Sequence, residues 1–261
     1  MLYEFAVYYM FLPSVAIFTF GLIYRLSRYA FTYKRTARPE WRKRPLTRRA
    51  FLFIDSFIHA IIAAAKKSRV DFLMGLLVLH TLGVIPLLFL LSHHVAWWSY
   101  YFPPYKALSF LAIPTSATSS SLTVTAPLQP VSGMSFKFVN TIWGPITVVL
   151  NGDVLAVLAI VATAFKLADR VMAKVKHKLQ RVSWGDFSAL ILLLFILVTG
   201  YMATHHSPSD DVVTYKNVLG LHILSAELLV ILLPFTKFFH FVFNFWFGKL
   251  HEVYDIWRRG L

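Results

Sequence analysis

Four stretches of the chain, about 5–24, 72–98, 186–204 and 217–246, are apolar over the roughly 20 residues that a helix needs to cross the hydrocarbon core of a bilayer. Such runs leave little choice of fold. Inside hydrocarbon no water satisfies the main chain, so each run is expected to form a helix that keeps its own N–H and C=O groups paired. A fifth run, about 142–166, is interrupted by Pro145 and by Asn151-Gly152-Asp153. The chain as a whole agrees: 57% of its 261 residues are hydrophobic and the mean hydropathy is +0.62, well above that of a soluble domain.

The placement of charge orients these runs. The net charge is +14, which in a soluble protein would suggest nucleic acid; here its distribution carries the information and no nucleic-acid partner is expected. Of 26 Lys and Arg, 13 lie between Arg25 and Arg69, six between Lys166 and Arg181, and three after residue 248. Basic loops face the cytoplasm, so residues 25–71 and 166–185 and the C-terminus are expected inside and the N-terminus outside. That pattern needs an odd number of crossings and enlists the fifth run. The expectation is an all-α integral membrane protein of a prokaryotic plasma membrane. It is a multi-pass, five-transmembrane-helix bundle forming one domain over 1–261, in contact with lipid throughout. The opening "MLYEFAVYYMFLP" lacks the basic region of a secretory signal, so the first span is expected to be retained.

Between the spans, residues 46–67, "LTRRAFLFIDSFIHAIIAAAKK", alternate basic and apolar patches and read as an amphipathic helix on the cytoplasmic surface, where it would rest on anionic lipid or dock a soluble partner. Residues 101–140, rich in Ser, Thr and Pro, read as a polar extracytoplasmic loop. The absence of cysteine excludes disulfides, protein-ligated iron–sulfur clusters and C-x-x-C-H haem attachment within this chain. A redox cofactor would have to be held by histidine.

Four histidines meet that need. In "LHILSAELLVILLPFTKFFH", His222 and His240 are 18 residues apart, five whole turns and roughly 27 Å on one helix face if the helix is continuous. In the second span, His80 and His94 are 14 steps apart, about 40° from the same face, whereas His93 is about 140° away. His94 is preferred by phase; Pro86 lies between and can rotate the outer half, which keeps His93 as the alternative. Antiparallel packing of the two spans sets His80 opposite His240 near the inner face and His94 opposite His222 near the outer one. Facing imidazole pairs are the axial set of a low-spin haem b, so two haem b groups stacked across the membrane are expected. His205 and His206 read as solvated loop residues, with a haem ligand or proton relay as the alternative; His59, His177 and His251 read as surface residues. Glu227 is ionisable at membrane depth, a functional candidate by its position alone. Asp153 either accepts protons or caps the third span.

The last span also carries a resemblance. Leu221-His222, the apolar stretch, Pro234-Phe235-Thr236-Lys237 and His240 resemble the fifth helix of the respiratory nitrate reductase gamma subunit family, membrane dihaem cytochromes b. "WGDFSALILLLFILVTGYM", with Gly200 near its outer end, is similar to that family's fourth span, and "YRLSRYAFTYKR" to the segment after its first. The resemblance implies a subunit that oxidises quinol, menaquinol included, drawn from the quinone pool. It would pass electrons through both haems to an iron–sulfur subunit on the cytoplasmic face, with terminal catalysis, nitrate reduction first among the options, on a further catalytic subunit. It also associates a lysine at the outer start of the third span with quinol, for which Lys137 is the nearest candidate, beside Glu227 as a tentative proton site. The family's second-span histidines lie closer together and its outer loop is shorter. These departures keep open the related membrane cytochromes of heterodisulfide reductase and of sulfite-reduction complexes. From other classes, a His-lined proton or metal transporter and an anchor without quinol turnover remain alternatives.

Overall fold

The computed structural model describes residues 2–32, 68–116, 122–125, 135–138, 141–176, 184–236 and 238, with scattered positions of 51–66. Among the described residues the secondary-structure elements are helices apart from one antiparallel strand pair, β1 (Leu122–Thr125) and β2 (Ser135–Phe138), in which Thr123 is the register partner of Lys137. The first helix begins at Leu2, passes through a π-helical stretch at Phe5–Met10 and continues as α1 (Phe11–Thr32). A second path runs from Arg69–Asp71 through the π-helical Phe72–Val84 into α2 (Ile85–Phe89), followed after a break by α3 (Ser92–Tyr101). Then come 3-10 turns at Pro103–Leu111 and Gly144–Val148, and the long helices α4 (Gly152–Val175), α5 (Trp184–Thr204) and α6 (Val212–Leu232). Both π-helical stretches lie shortly before a proline, Pro13 and Pro86. Proline has no N–H for the i−4 carbonyl, and widening the preceding turns is one way a helix absorbs that loss.

Among the described residues, four helices are long and apolar enough to cross a membrane: Leu2–Arg28, Arg69–Phe89, Phe187–Thr204 and Val212–Phe235. Their outward residues are large and apolar, as with Leu12 at 72% and Phe20 at 73% exposure, which suits lipid and would be anomalous in water. α4 has 24 residues, about 36 Å of helix, but carries Asp153, Lys166, Asp169 and Arg170. It begins at Gly152, ten residues beyond the start expected for the third span. The reason is local: the Asn151 side chain accepts from Val154 N and caps the helix, leaving Gly144–Val148 as a separate 3-10 turn. The cap is Asn151, then, and Asp153 is available for another contact.

The chain divides into two compact units, Met1–Leu12 with Leu73–Glu227, and Pro13–Phe72 with Leu228–Leu261. In the first, Leu79, Ala159, Ala162 and Leu197 form a core in which the π-helical stretch, α4 and α5 meet. A Cβ on Gly83 would lie 2.8 Å from the Cβ of Ala159, so this contact depends on small residues, which is how helices approach closely in membranes. In the second unit, the Arg25 guanidinium donates to the carbonyl of Pro234 at 2.6 Å, and Gly21 leaves room for the rings of Pro234 and Phe235.

That end of the last span differs from expectation. A continuous helix from 217 to 246 was anticipated; α6 begins earlier, at Val212, and stops at Leu232, after which Leu233–Phe235 is a 3-10 turn and Thr236 is extended. Pro234 lacks the N–H that would continue the ladder and disfavours helix in the residue before it. The five whole turns between His222 and His240 therefore do not exist as one helix. His240 itself, with Lys237, His177 and His251, lies outside the described residues.

Candidate functional site: histidines around a helix break

The second span was expected to run unbroken from 72 to 98. It stops at Phe89: Leu91 is extended and pairs with Ile113, whose N–H donates to the Leu90 carbonyl at 2.8 Å while Ser92 N–H donates to the Ile113 carbonyl at 2.9 Å. His80 and His94 are thus on different helices, and the phase arithmetic that preferred His94 to His93 does not apply. A helix that ends leaves its last carbonyls without partners, which at membrane depth is tolerated only where protein supplies donors. Each is supplied. Leu87 O accepts from His94 Nδ1, Leu88 O from Trp98 Nε1 at 3.2 Å, and Phe89 O from the Tyr105 hydroxyl at 2.7 Å. Burial holds the Tyr105 phenol above its ordinary pKa, so it remains a donor. Leu91 and Ile113, 8% and 1% exposed, seal the break with Leu155.

This break sets the chemistry of His94. A carbonyl oxygen only accepts, so the ring nitrogen facing it bears the proton, and Nδ1–H leaves Nε2 with its lone pair. The same tautomer is fixed at two further histidines. His222 Nδ1 donates to the Ile196 carbonyl at 3.0 Å, and His80 Nδ1 to the Gly75 carbonyl at 2.6 Å, five residues back within the π-helical stretch. A second hydrogen bond that fixes tautomer and ring orientation is the usual company of a metal-ligating histidine. His93, His94 and His222 lie within electrostatic reach of one another, with the rings of His93 and His94 4.1 Å apart. The His222 ring rests against Gly200 of α5: a Cβ there would come within 2.7 Å of Cε1 and 3.0 Å of Nδ1.

The remaining candidates fall elsewhere. Lys137 is on β2. Glu227 is buried on α6 at 6% exposure, and neither carboxylate oxygen has a hydrogen-bond partner among the described residues. Asp153 pairs with His205, whose Nε2 is 2.9 Å from Oδ1. His206 stacks on Tyr215, and the exposed His59 pairs with Asp55 at 3.2 Å. Among the described residues, no group of three or more His, Asp or Glu is arranged to hold a bare metal ion. Sequence reasoning missed the carbonyl-capping roles of Trp98 and Tyr105 and the reason for Gly200; in the second span, Pro86 was the visible signal of a disturbed helix.

No family model, curated protein or solved structure matches this chain.

Proposed function

We propose that the chain is a membrane cytochrome b that oxidises quinol and feeds electrons to a soluble partner. One observation carries the reading: His94 and His222, from separate segments of the chain, each commit Nδ1–H to a main-chain carbonyl and lie within reach of one another inside an apolar bundle. That donor set fits an iron porphyrin, which takes one neutral imidazole on each face and fills its remaining positions itself, so no third protein ligand is needed. His94, or His93 beside it, and His222 would hold the outer haem; His80, with its tautomer fixed in the same way, and His240 would hold the inner one. When bound, haem b supplies one-electron redox chemistry that no side chain here provides.

The residues around it have separable tasks. The carbonyls of Leu87 and Ile196 orient the rings, Gly200 makes room for His222, and the Leu91–Ile113 seal keeps water from the break. Glu227 is the proton-handling candidate at membrane depth and Lys137 the candidate near the quinol. In this reading the molecule has five spans in a prokaryotic plasma membrane, α4 being the charged one, with the N-terminus outside. An iron–sulfur subunit docks on the basic cytoplasmic surface and carries electrons to a catalytic subunit, a nitrate reductase first and a heterodisulfide or sulfur-compound reductase second. The test is a dithionite-reduced minus oxidised spectrum of the purified chain with pyridine haemochrome quantitation. Two haems b per chain are expected; a protein with no b-type bands would end the reading.

A further inference from the structure

At one end of the first unit the chain places a carboxylate–imidazole pair that the electron-transfer reading leaves unused. His205 stands just past the end of α5, and its N–H still bonds the Tyr201 carbonyl at 3.2 Å, so helical rise applies. It follows Gly200, the seat of the His222 ring, by five residues, which puts it roughly 7.5 Å further along the same axis. Its Nε2 is held at 2.9 Å by the carboxylate of Asp153, at the first turn of α4, and the Tyr201 ring packs on it at 4.4 Å. The pair is partly open to solvent, 41% for His205 and 25% for Asp153.

Among the described residues, the neighbouring ionisable groups at this end are engaged elsewhere. His206 lies against Tyr215 and 3.8 Å from Asp210, Asp211 caps α6 through Val213 N and Thr214 N, and Lys216 pairs with Glu4 at 3.4 Å. His205 is therefore the imidazole at this end with a buried-side carboxylate to stabilise a proton and a wet side to release it.

We infer that the Asp153–His205 pair is the proton acceptor for quinol oxidation at the outer end of the bundle, an assignment that rests on the proposed quinol-oxidising function. Oxidation of a quinol to a quinone breaks two O–H bonds and releases two electrons and two protons. The electrons go to haem b, the one-electron acceptor class already named. The protons go in turn to Nδ1 of His205, because Asp153 occupies Nε2–H and leaves Nδ1 as the basic nitrogen. Asp153 stabilises the imidazolium so formed, which returns each proton to the outer water before the next arrives.

The experiment uses the full chain in detergent, with menadiol as the quinol. His205→Gln keeps an N–H donor for Asp153 but cannot take up a proton. Its dithionite-reducible haem should be unchanged while the rate of haem reduction by menadiol falls roughly a hundredfold, the usual contribution of a positioned base. His205→Gly should be equally slow and should recover with added imidazole, which a merely structural residue would not do. Independently of electron transfer, nitrogen-15 spectra of histidine-labelled protein should lose an Nε2–H imidazole signal in His205→Gln. Native menadiol rates in His205→Gln, or an Nδ1–H signal for His205, would overturn the inference and leave the cytochrome reading intact. Absence of haem from the native chain would overturn both.

Discussion

His94 gives its Nδ1 proton to the carbonyl of Leu87, seven residues before it, so one imidazole closes the end of a helix and keeps its second nitrogen for a ligand. Capping and ligation are usually separate tasks for separate side chains. In the proposed reading the first defines the tautomer that the second would require.

Replacing His94 should therefore fail twice. His94→Ala leaves the Leu87 carbonyl without a donor at membrane depth, an expected loss of about 1–3 kcal/mol, and also deletes a haem band. His93→Ala should do neither. Thermal melts and reduced-minus-oxidised spectra on matched samples check both halves. A band lost in the His93 variant and kept in the His94 variant would exchange their roles.

Tyr105→Phe isolates the capping task. It removes the hydroxyl that serves the Phe89 carbonyl and no ligand, so about 1 kcal/mol of stability should go while the haem spectrum stays. A spectrum altered as much as that of His94→Ala would mean that spectral losses at this break report disordered structure.

Gly200→Ala tests the seat of His222. The added methyl meets the ring at 2.7 Å, and the ring cannot swing aside without leaving the Ile196 carbonyl 3.0 Å away. Overpacking of this kind costs about 1–3 kcal/mol, and the outer haem band should shift or vanish. An unchanged band and melting temperature would show that the ring has freedom its neighbours do not suggest.

Because the chain has no cysteine, single introduced thiols report topology without interference. Ser209→Cys should react with a membrane-impermeant maleimide from outside, and Lys176→Cys only after the membrane is opened. The reverse pattern would invert the orientation drawn from the 13 basic residues between Arg25 and Arg69.

Much of the scaffold was legible in the sequence because hydrocarbon imposes length and composition on a span. Each of the four apolar runs overlaps a helix of adequate length, though the second and the last end well short of their expected limits, and the doubt over residues 142–151 was well placed. What could not be read was phase. Counting 100° per residue assumed unbroken α-helix between His80 and His94 and between His222 and His240. The first interval holds π-helical turns and an extended Leu91, and the second holds the turn at Pro234. Both prolines were visible. Their effect depends on distant donors: Ile113 for the Leu90 carbonyl and Arg25 for the Pro234 carbonyl, pairings that no local pattern announces. The role of Gly200 is hidden for the same reason, since its neighbour is 22 residues away in another helix.

The donors that complete the break at Phe89 all lie downstream of it, nine residues on for Trp98 and 16 for Tyr105. A ribosome adds about 5–20 residues per second, so for roughly 0.5–3 s after Phe89 is made its neighbours' carbonyls have only water or the insertion machinery to bond. The span therefore cannot slip into lipid as a finished unit when its last apolar residue emerges; the order of synthesis obliges that end to wait at a hydrated site until the following segment folds back over it. Mutations in Trp98 or Tyr105 would then act first on the yield of inserted protein and only afterwards on the stability of the molecules that succeed.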